Sequence, residues 1–408
     1  MRKRQRHNVS RLGALVVALS AAFSTQSCGH AEAPLQFRAQ VIAANVEGAY
    51  LTSIADLNGD QKPDVILLSI RSEQVFWYEN PSWRRHVLAS GITLAAVGAA
   101  VEGTVGTGDF RLVLLTGFHR DAYEKNRGEL VYMDSVGPAS KPFIFAREPA
   151  AHRAAFADVD GNGTRELVLA PIAGPGPEAP IASLGNTPLL LFNPPGAERY
   201  VIKPDLKGTV HGLTIVDWDG DGRDDVVTAG LGGIWLHRSR GGVPSGDLAA
   251  LTWQSVPLTP GRPSDDPLTR GAGDVRIGKF VDGTRFLAAI ESVHGGDVAV
   301  YTKDPAGHWV RRVIDRGYEL AHGFALADFD GDGGDEIVVS DSRGKGGVFI
   351  YDSPGGDGRE WQRSTIDETD MAAGACEARD MTGDNRVDLV CAGFPTRNVK
   401  LYVNEGEH

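Results

Sequence analysis

Asp328-Phe-Asp-Gly-Asp-Gly-Gly-Asp-Glu336, running straight into Ile337-Val-Val, is the stretch that decides the fold. Four segments repeat it: Asp56-Leu-Asn-Gly-Asp-Gln-Lys-Pro-Asp64, Asp158-Val-Asp-Gly-Asn-Gly-Thr-Arg-Glu166, Asp217-Trp-Asp-Gly-Asp-Gly-Arg-Asp-Asp225 and Asp380-Met-Thr-Gly-Asp-Asn-Arg-Val-Asp388. Oxygen-bearing side chains recur at positions one, three, five and nine. They are Asp56, Asn58, Asp60 and Asp64; Asp158, Asp160, Asn162 and Glu166; Asp217, Asp219, Asp221 and Asp225; Asp328, Asp330, Asp332 and Glu336; and Asp380, Asp384 and Asp388, with Thr382 departing at the third position. Position six is Gly or Asn except at Gln61, as a left-handed turn requires. Hard oxygen ligands on a curling loop suit Ca²⁺, so about five calcium sites are expected. A single such loop reads as a solvated turn; five in register do not. An EF-hand needs a Glu at position twelve and flanking helices. Here the flanks, such as Val65-Ile-Leu-Leu and Val226-Val-Thr, are short, aliphatic and rich in β-branched residues, and they read as strands.

The repeat extends further. Third strands end on aromatics at Val75-Phe-Trp-Tyr78, Leu189-Leu-Leu-Phe192, Val298-Ala-Val-Tyr301, Val348-Phe-Ile-Tyr351 and Val399-Lys-Leu-Tyr402. Fourth strands begin on Trp83, Trp253, Trp309 and Trp361. Four strands per unit of about fifty residues describe a propeller blade. Two further units, 95–148 and 271–314, fit the spacing without an acidic loop, which makes seven. The last unit stops after its third strand, and Phe37-Arg-Ala-Gln-Val-Ile42 has the spacing of the missing fourth. The expected fold is therefore all-β, a seven-bladed β-propeller over residues 36–408, closed by an N-terminal strand in the last blade.

Before it, Arg2 to Arg11 are basic and Leu12 to Phe23 apolar or small, the pattern of an export signal over residues 1–27 with a linker at 28–35. Thr25-Gln-Ser-Cys28 resembles a lipoprotein cleavage site with Cys28 as the lipidated residue, and Ala31-Glu-Ala33 offers ordinary cleavage instead. The expected location is periplasmic, outer-membrane-anchored or secreted. Cys376 and Cys391 flank the last acidic loop symmetrically, so a disulfide or two small buried residues are the alternatives. The formal charge of −12 becomes about −17 without the leader's five basic residues, Arg2, Lys3, Arg4, Arg6 and Arg11. Much of that acidity sits in the loops and is a metal signal. No basic stripe with interleaved aromatics points to nucleic acid.

Six residues before each loop's first Asp stand Tyr50, His152, His211, His322 and Gly374. With only 11 His in 408 residues, three in five equivalent places is a concentration. The start of an inner strand lies at the opposite rim from its acidic loop. Loops carrying His119, Arg120, Arg270, His294 and Arg343 are expected at that same rim, as substrate-binding or metal-binding groups. His211, His294 and His322 could hold Zn²⁺ or another divalent metal, and His152 is a candidate base. The bland alternative is packing between blades, because each His shares alternation with Phe156, Ile215 or Leu326.

The acidic loop, aliphatic strand and aromatic strand together resemble the FG-GAP/VCBS repeat of integrin-like propellers, over nearly all of residues 36–408. That resemblance implies a calcium-stabilised seven-bladed propeller and no particular activity. The runs Phe76-Trp-Tyr-Glu-Asn-Pro-Ser-Trp83, Ala289 to Lys303 and His322 to Val339 look like the propeller domain of aldos-2-ulose dehydratase. That narrower resemblance implies elimination of water from an anhydrofructose-type ketosugar, with His152 where the family's proton-accepting His falls. Cupin sequence, which that family carries after its propeller, does not follow within residues 36–408. The functional expectation is a carbohydrate-binding, ketosugar-dehydrating propeller in which Tyr50 protonates the leaving hydroxyl. The alternatives are another carbon–oxygen lyase acting on a polysaccharide, or a non-catalytic propeller binding a glycan or a protein.

Overall fold

Each aliphatic run is flanked by turn-forming Gly, Asp and Asn, and the chain accordingly folds as short antiparallel strands. The computed structural model describes residues 1, 35–137, 140–240, 247–343 and 346–406. Cys28 and the rest of the leader, together with Lys345, lie outside the described residues. Residues 33–408 form one unit. Seven four-stranded sheets follow one another: blade 1 (49–90), blade 2 (98–147), blade 3 (151–207), blade 4 (210–259), blade 5 (274–315), blade 6 (321–367) and blade 7 (373–406 with 36–44). The inner strands are Ala49–Ala55, Gly98–Glu102, Ala151–Ala157, Val210–Val216, Asp274–Lys279, Ala321–Ala327 and Ala373–Arg379. Each touches the next and the seventh touches the first, so the ring closes.

The core follows from this geometry. A blade is apolar on both faces and can bury neither alone. Seven apolar clusters fill the seven junctions between neighbouring blades, among the described residues. In five blades the first aliphatic residue of the second strand faces the aromatic of the third: Val65 opposite Tyr78, Leu167 opposite Phe192, Leu287 opposite Tyr301, Ile337 opposite Tyr351 and Leu389 opposite Tyr402.

Blade 4 departs from the expected pattern. Its third strand is Gly233–Arg240, and His237 stands opposite Val226 in the aromatic's place. The run Val298–Tyr301 belongs instead to blade 5, which has no acidic loop. His237 is fully buried, yet both ring nitrogens are satisfied, by Thr228 Oγ1 at 3.0 Å and Ser255 Oγ at 2.8 Å. Burial holds its pKa down to about 3, so the ring is neutral.

Closure occurs in blade 7. Gln36–Ala44 pairs antiparallel with Asn398–Gly406, Ala39 lying opposite Tyr402. Phe37 packs into the junction of blades 6 and 7, its ring 5.9 Å from that of Phe329. Ile42 packs into the junction of blades 7 and 1. Cys376 and Cys391 stand opposite each other on the first two strands of this blade and are joined, with Cα atoms 4.2 Å apart.

Removing residues 36–42 uncovers the edge of Asn398–Gly406 and opens two core junctions. The expected outcome is aggregation or a marked fall in melting temperature. Ile42→Ala in the full chain should cost about 2–4 kcal/mol in denaturant titration. A monomeric deletion variant with the parent's melting temperature would contradict this closure.

Candidate functional site

The five acidic loops join first and second strands, and all curl in one way. The first Asp accepts backbone N–H groups three and five residues on. In blade 6 these are Gly331 at 2.7 Å and Gly333 at 3.1 Å on Asp328; in blade 7, Gly383 at 2.7 Å and Asn385 at 2.8 Å on Asp380. The ninth-position acid accepts the N–H of the second residue, as Glu336 does from Phe329 at 2.7 Å. The second residue's carbonyl accepts from the next blade: Val159 from Ser239 Oγ at 2.6 Å, Phe329 from Asn404 Nδ2 at 2.7 Å, Met381 from Asn80 Nδ2 at 2.8 Å, and Trp218 from Arg285. Four of the five loops are thus also latches between blades.

Carboxylate oxygens converge in threes at Asp158, Asp160 and Glu166; at Asp217, Asp219 and Asp221; and at Asp328, Asp330 and Asp332, in each case within 4.8 Å of one another. Asp352, just after the aromatic end of blade 6's third strand, joins Asp330 and Glu336 in a further group that sequence reading missed. Its signal was an acid following Tyr351. Burial, reinforced by neighbouring carboxylates, pushes Glu166 and Asp225 up to about 7 and Glu336 up to about 9. The loops of blades 1 and 7 differ. Asn58 and Thr382 stand where a third carboxylate would, and Asp64 and Asp388 give both oxygens to backbone N–H groups.

At the opposite rim the histidines meet. Tyr50, His152, His211, His322 and Gly374 are each the second residue of an inner strand. In all five blades the register slips at that residue, between 49 and 51, 151 and 153, 210 and 212, 321 and 323, and 373 and 375. A bulge leaves one residue out of the ladder and re-aims its side chain. It also cancels the alternation with Phe156, Ile215 and Leu326. The inner pairs of blades 2 and 5 have no such slip.

His211 lies at the centre. Its ring centroid is 4.8 Å from those of His152 and His294 and 5.2 Å from that of His322. His294 reaches the cluster from a tight turn with a left-handed backbone, φ 53°, a conformation disfavoured for a residue with a Cβ. The turn has no room for a side chain at Gly295, where a Cβ would meet the Ser292 amide nitrogen at 2.1 Å. Nitrogens of His211, His294 and His322 lie within 4.8 Å of one another. His211 Nδ1 is 3.0 Å from the Gly273 carbonyl and His322 Nδ1 is 2.5 Å from the Gly374 carbonyl. A carbonyl only accepts, so each Nδ1 carries the proton and each Nε2 keeps its lone pair. Among the described residues, neither His211 Nε2 nor His152 Nδ1, both buried, has a hydrogen-bond partner.

All four rings are neutral at neutral pH. Burial, helped by the Arg153 guanidinium, drives His152 and His211 well below the ordinary value. Burial holds His294 to about 3 and His322 to about 4. Above them opens a cavity of about 460 Å³ whose walls include Tyr50, Arg120, His152, His294, His322 and Arg343. Phe118, Ile181 and Phe394 supply apolar faces. Arg270 is exposed and His119 is partly buried; neither lines this cavity. The Thr259–Asp274 connection therefore does not bring Arg270 to the mouth. Arg153 is the charged neighbour that sequence reading left without a role, and its signal was adjacency to His152.

The sequence family of FG-GAP-like repeats matches residues 328–391, covering blade 6's acidic loop through blade 7's second strand. Among curated proteins the chain is similar to aldos-2-ulose dehydratase of Phanerodontia chrysosporium, 31% identical over 182 residues, which are 37% of this chain and 19% of that protein. The similarity thus spans about a fifth of that relative's length. Among solved structures, a chain in the crystal structure of the mitotic checkpoint complex aligns over 97% of this chain and 98% of its own, with a TM-score of 0.55 at 12% identity. That likeness is one of fold. Together these findings define a seven-bladed β-propeller carrying an FG-GAP-like repeat, with a dehydratase among its relatives.

Asp388 is fully buried and its carboxylate holds the Met381 and Asn404 N–H groups, at 2.9 and 2.8 Å. Asp388→Ala leaves both donors unpaired and should destabilise by about 2–4 kcal/mol. Denaturant titration checks this; a loss below 1 kcal/mol, about the smallest cost of one orphaned donor, would show that these bonds do not hold the loop.

Proposed function

We propose that this protein is an exported, calcium-stabilised propeller that binds a carbohydrate at the histidine mouth and eliminates water from it beside a divalent transition metal. The observation that carries the site is the orphaned His211 Nε2. It is buried among neutral imidazoles, and the Nδ1 protons of His211 and His322 are tied to backbone carbonyls, the second hydrogen bond that orients metal-ligating histidines. His211, His294 and His322 are the ligands. Three imidazoles leave a coordination position open, the arrangement of catalytic rather than structural zinc. A metal there supplies Lewis-acid polarisation of a substrate carbonyl. The similarity to aldos-2-ulose dehydratase supports a ketosugar as substrate.

The chain's own residues then divide the proton work. His152 Nδ1 is without a partner, and its ring is neutral and able to accept a proton from the carbon beside the carbonyl. The electrons of that C–H bond form the new double bond as the C–O bond breaks, and the departing hydroxyl leaves as water with a proton from Tyr50. The Tyr50 ring is 6.1 Å from that of His322, on the same wall. Phe118, in ring contact with His152 at 5.6 Å, keeps that side of the mouth apolar.

Calcium belongs to the other rim. The loops of blades 3 and 6 are the best prepared, because among the described residues no ion pair engages Asp158, Asp160, Asp328, Asp330 or Asp332. In blade 4, Arg223 and Arg238 already pair with Asp221 and Asp219 at 2.5 and 2.8 Å. The basic-then-apolar leader supports export, and Cys28 would add a lipid anchor.

Two outcomes test this reading. Chelation should lower the melting temperature and Ca²⁺ restore it, since a cation at a hundredfold excess over Kd stabilises by roughly 2.7 kcal/mol per site. Asp328→Ala should remove one equivalent of calcium, and an unchanged melting curve in chelator would refute the calcium sites. For the mouth, the dialysed protein should retain close to one equivalent of transition metal, and His322→Gln should abolish it. His152→Gln should keep both metal and melting temperature while slowing enone formation from anhydrofructose by about 10²–10⁴-fold. Calcium alone in the dialysed protein, with no turnover, would favour a non-catalytic binding propeller.

A further inference from the structure

The whole chain is acidic, at −12, but the histidine mouth is not. None of the described residues lining its cavity is a carboxylate, while Arg120 and Arg343 both line it. Arg153 lies just below, on the inner strand of blade 3. All three guanidinium groups act on His294, each disfavouring its protonation. The nearest acids already have partners of their own. Asp274, beneath the ring, is 2.7 Å from Arg276, and Asp121 is a 75%-exposed partner 3.4 Å from Arg120. Asp341 accepts the N–H groups of Glu319, Leu320 and Arg343. The Arg343 side chain is exposed and enters no ion pair among the described residues.

Two cations on a concave apolar wall, Arg343 without an acid partner among the described residues and Arg120 with only the exposed Asp121, are stabilised by an anion between them. An arginine fork matches a carboxylate in two parallel hydrogen bonds. The flat faces of Phe118 and Phe394 beside it suit the apolar face of a sugar ring. From this geometry we infer that the carbohydrate taken by the mouth is a sugar acid, its carboxylate held by Arg343 and Arg120 above the histidines. This rests on the carbohydrate reading above and narrows it from ketosugars in general to those bearing a carboxylate. It also supplies the negative charge that a divalent cation on three neutral imidazoles would lack.

The test is calorimetric titration of the full chain with glucuronate, galacturonate and mannuronate, as mono- and disaccharides, each against its neutral hexose counterpart. At least one uronate should bind about tenfold or more tightly than its neutral twin, the worth of one charge-assisted contact. That preference should weaken as salt is raised. The double variant Arg120→Gln/Arg343→Gln should lose the preference while keeping the parent's melting temperature and its affinity for the neutral twin. Equal affinity for uronates and neutral sugars, or a preference that survives in the double variant, overturns this inference and leaves the carbohydrate reading standing. Binding of neither class overturns both.

Discussion

No blade of this protein can bury its own two faces, and every other feature follows from that constraint. Apolar surface must be removed from water against a neighbour, so stability resides at the junctions. Seven junctions exist only if the ring is closed, and one of the seven sheets is completed by strands almost 360 residues apart in sequence. Closing so long a loop carries an entropic cost that grows slowly with length. Pairing of Gln36–Ala44 with Asn398–Gly406, and the cores that Phe37 and Ile42 complete, offset it. Four of the acidic loops contribute to the same end, since their second-residue carbonyls are held by side chains of the next blade. A cation that stiffens such a loop therefore acts on a junction as well as on a turn.

The sequence made the blades legible because strand identity is a local property. Alternating aliphatic residues, turn-forming loops and terminal aromatics repeat often enough to be counted. It was less informative where a local signal was replaced by a different solution. His237 fills an aromatic's place in blade 4, hydrogen-bonded on both nitrogens, and nothing in its neighbours announces that partnership. Asp64 and Asp388 have the letters of ligands but spend both oxygens on backbone donors. The loops of blades 1 and 7 look like the others as strings and differ as electrostatic objects.

The histidine rim was legible in position and not in consequence. Spacing from the acidic loops put Tyr50, His152, His211 and His322 at one end of their strands. Two-residue alternation also grouped each His with apolar residues further along, which left packing between blades as the alternative. A bulge at the same place in five inner strands breaks that parity. A bulge is invisible to periodicity because it changes the pairing partner without changing the composition of the strand. His211 and His237 show the difference. Both are buried and both are neutral, but His237 has two partners and His211 has one partner and an orphaned nitrogen. The unsatisfied atom, rather than the residue type, is what makes His211 and not His237 a candidate ligand.

Placing the two charged systems on opposite rims has a physical use. Clustered carboxylates near the imidazoles would raise their pKa values and favour charged rings in place of neutral ones. Separated by the length of an inner strand, about 20 Å, the acidic loops are screened from the mouth by more than one Debye length at physiological salt. His294 is then governed by its own burial and by Arg153, Arg120 and Arg343, all of which favour the neutral ring. The repeat that stabilises the ring at one rim thus leaves the other free to keep a cationic, carboxylate-free chamber. That chamber exists only while all seven inner strands stay in register around it.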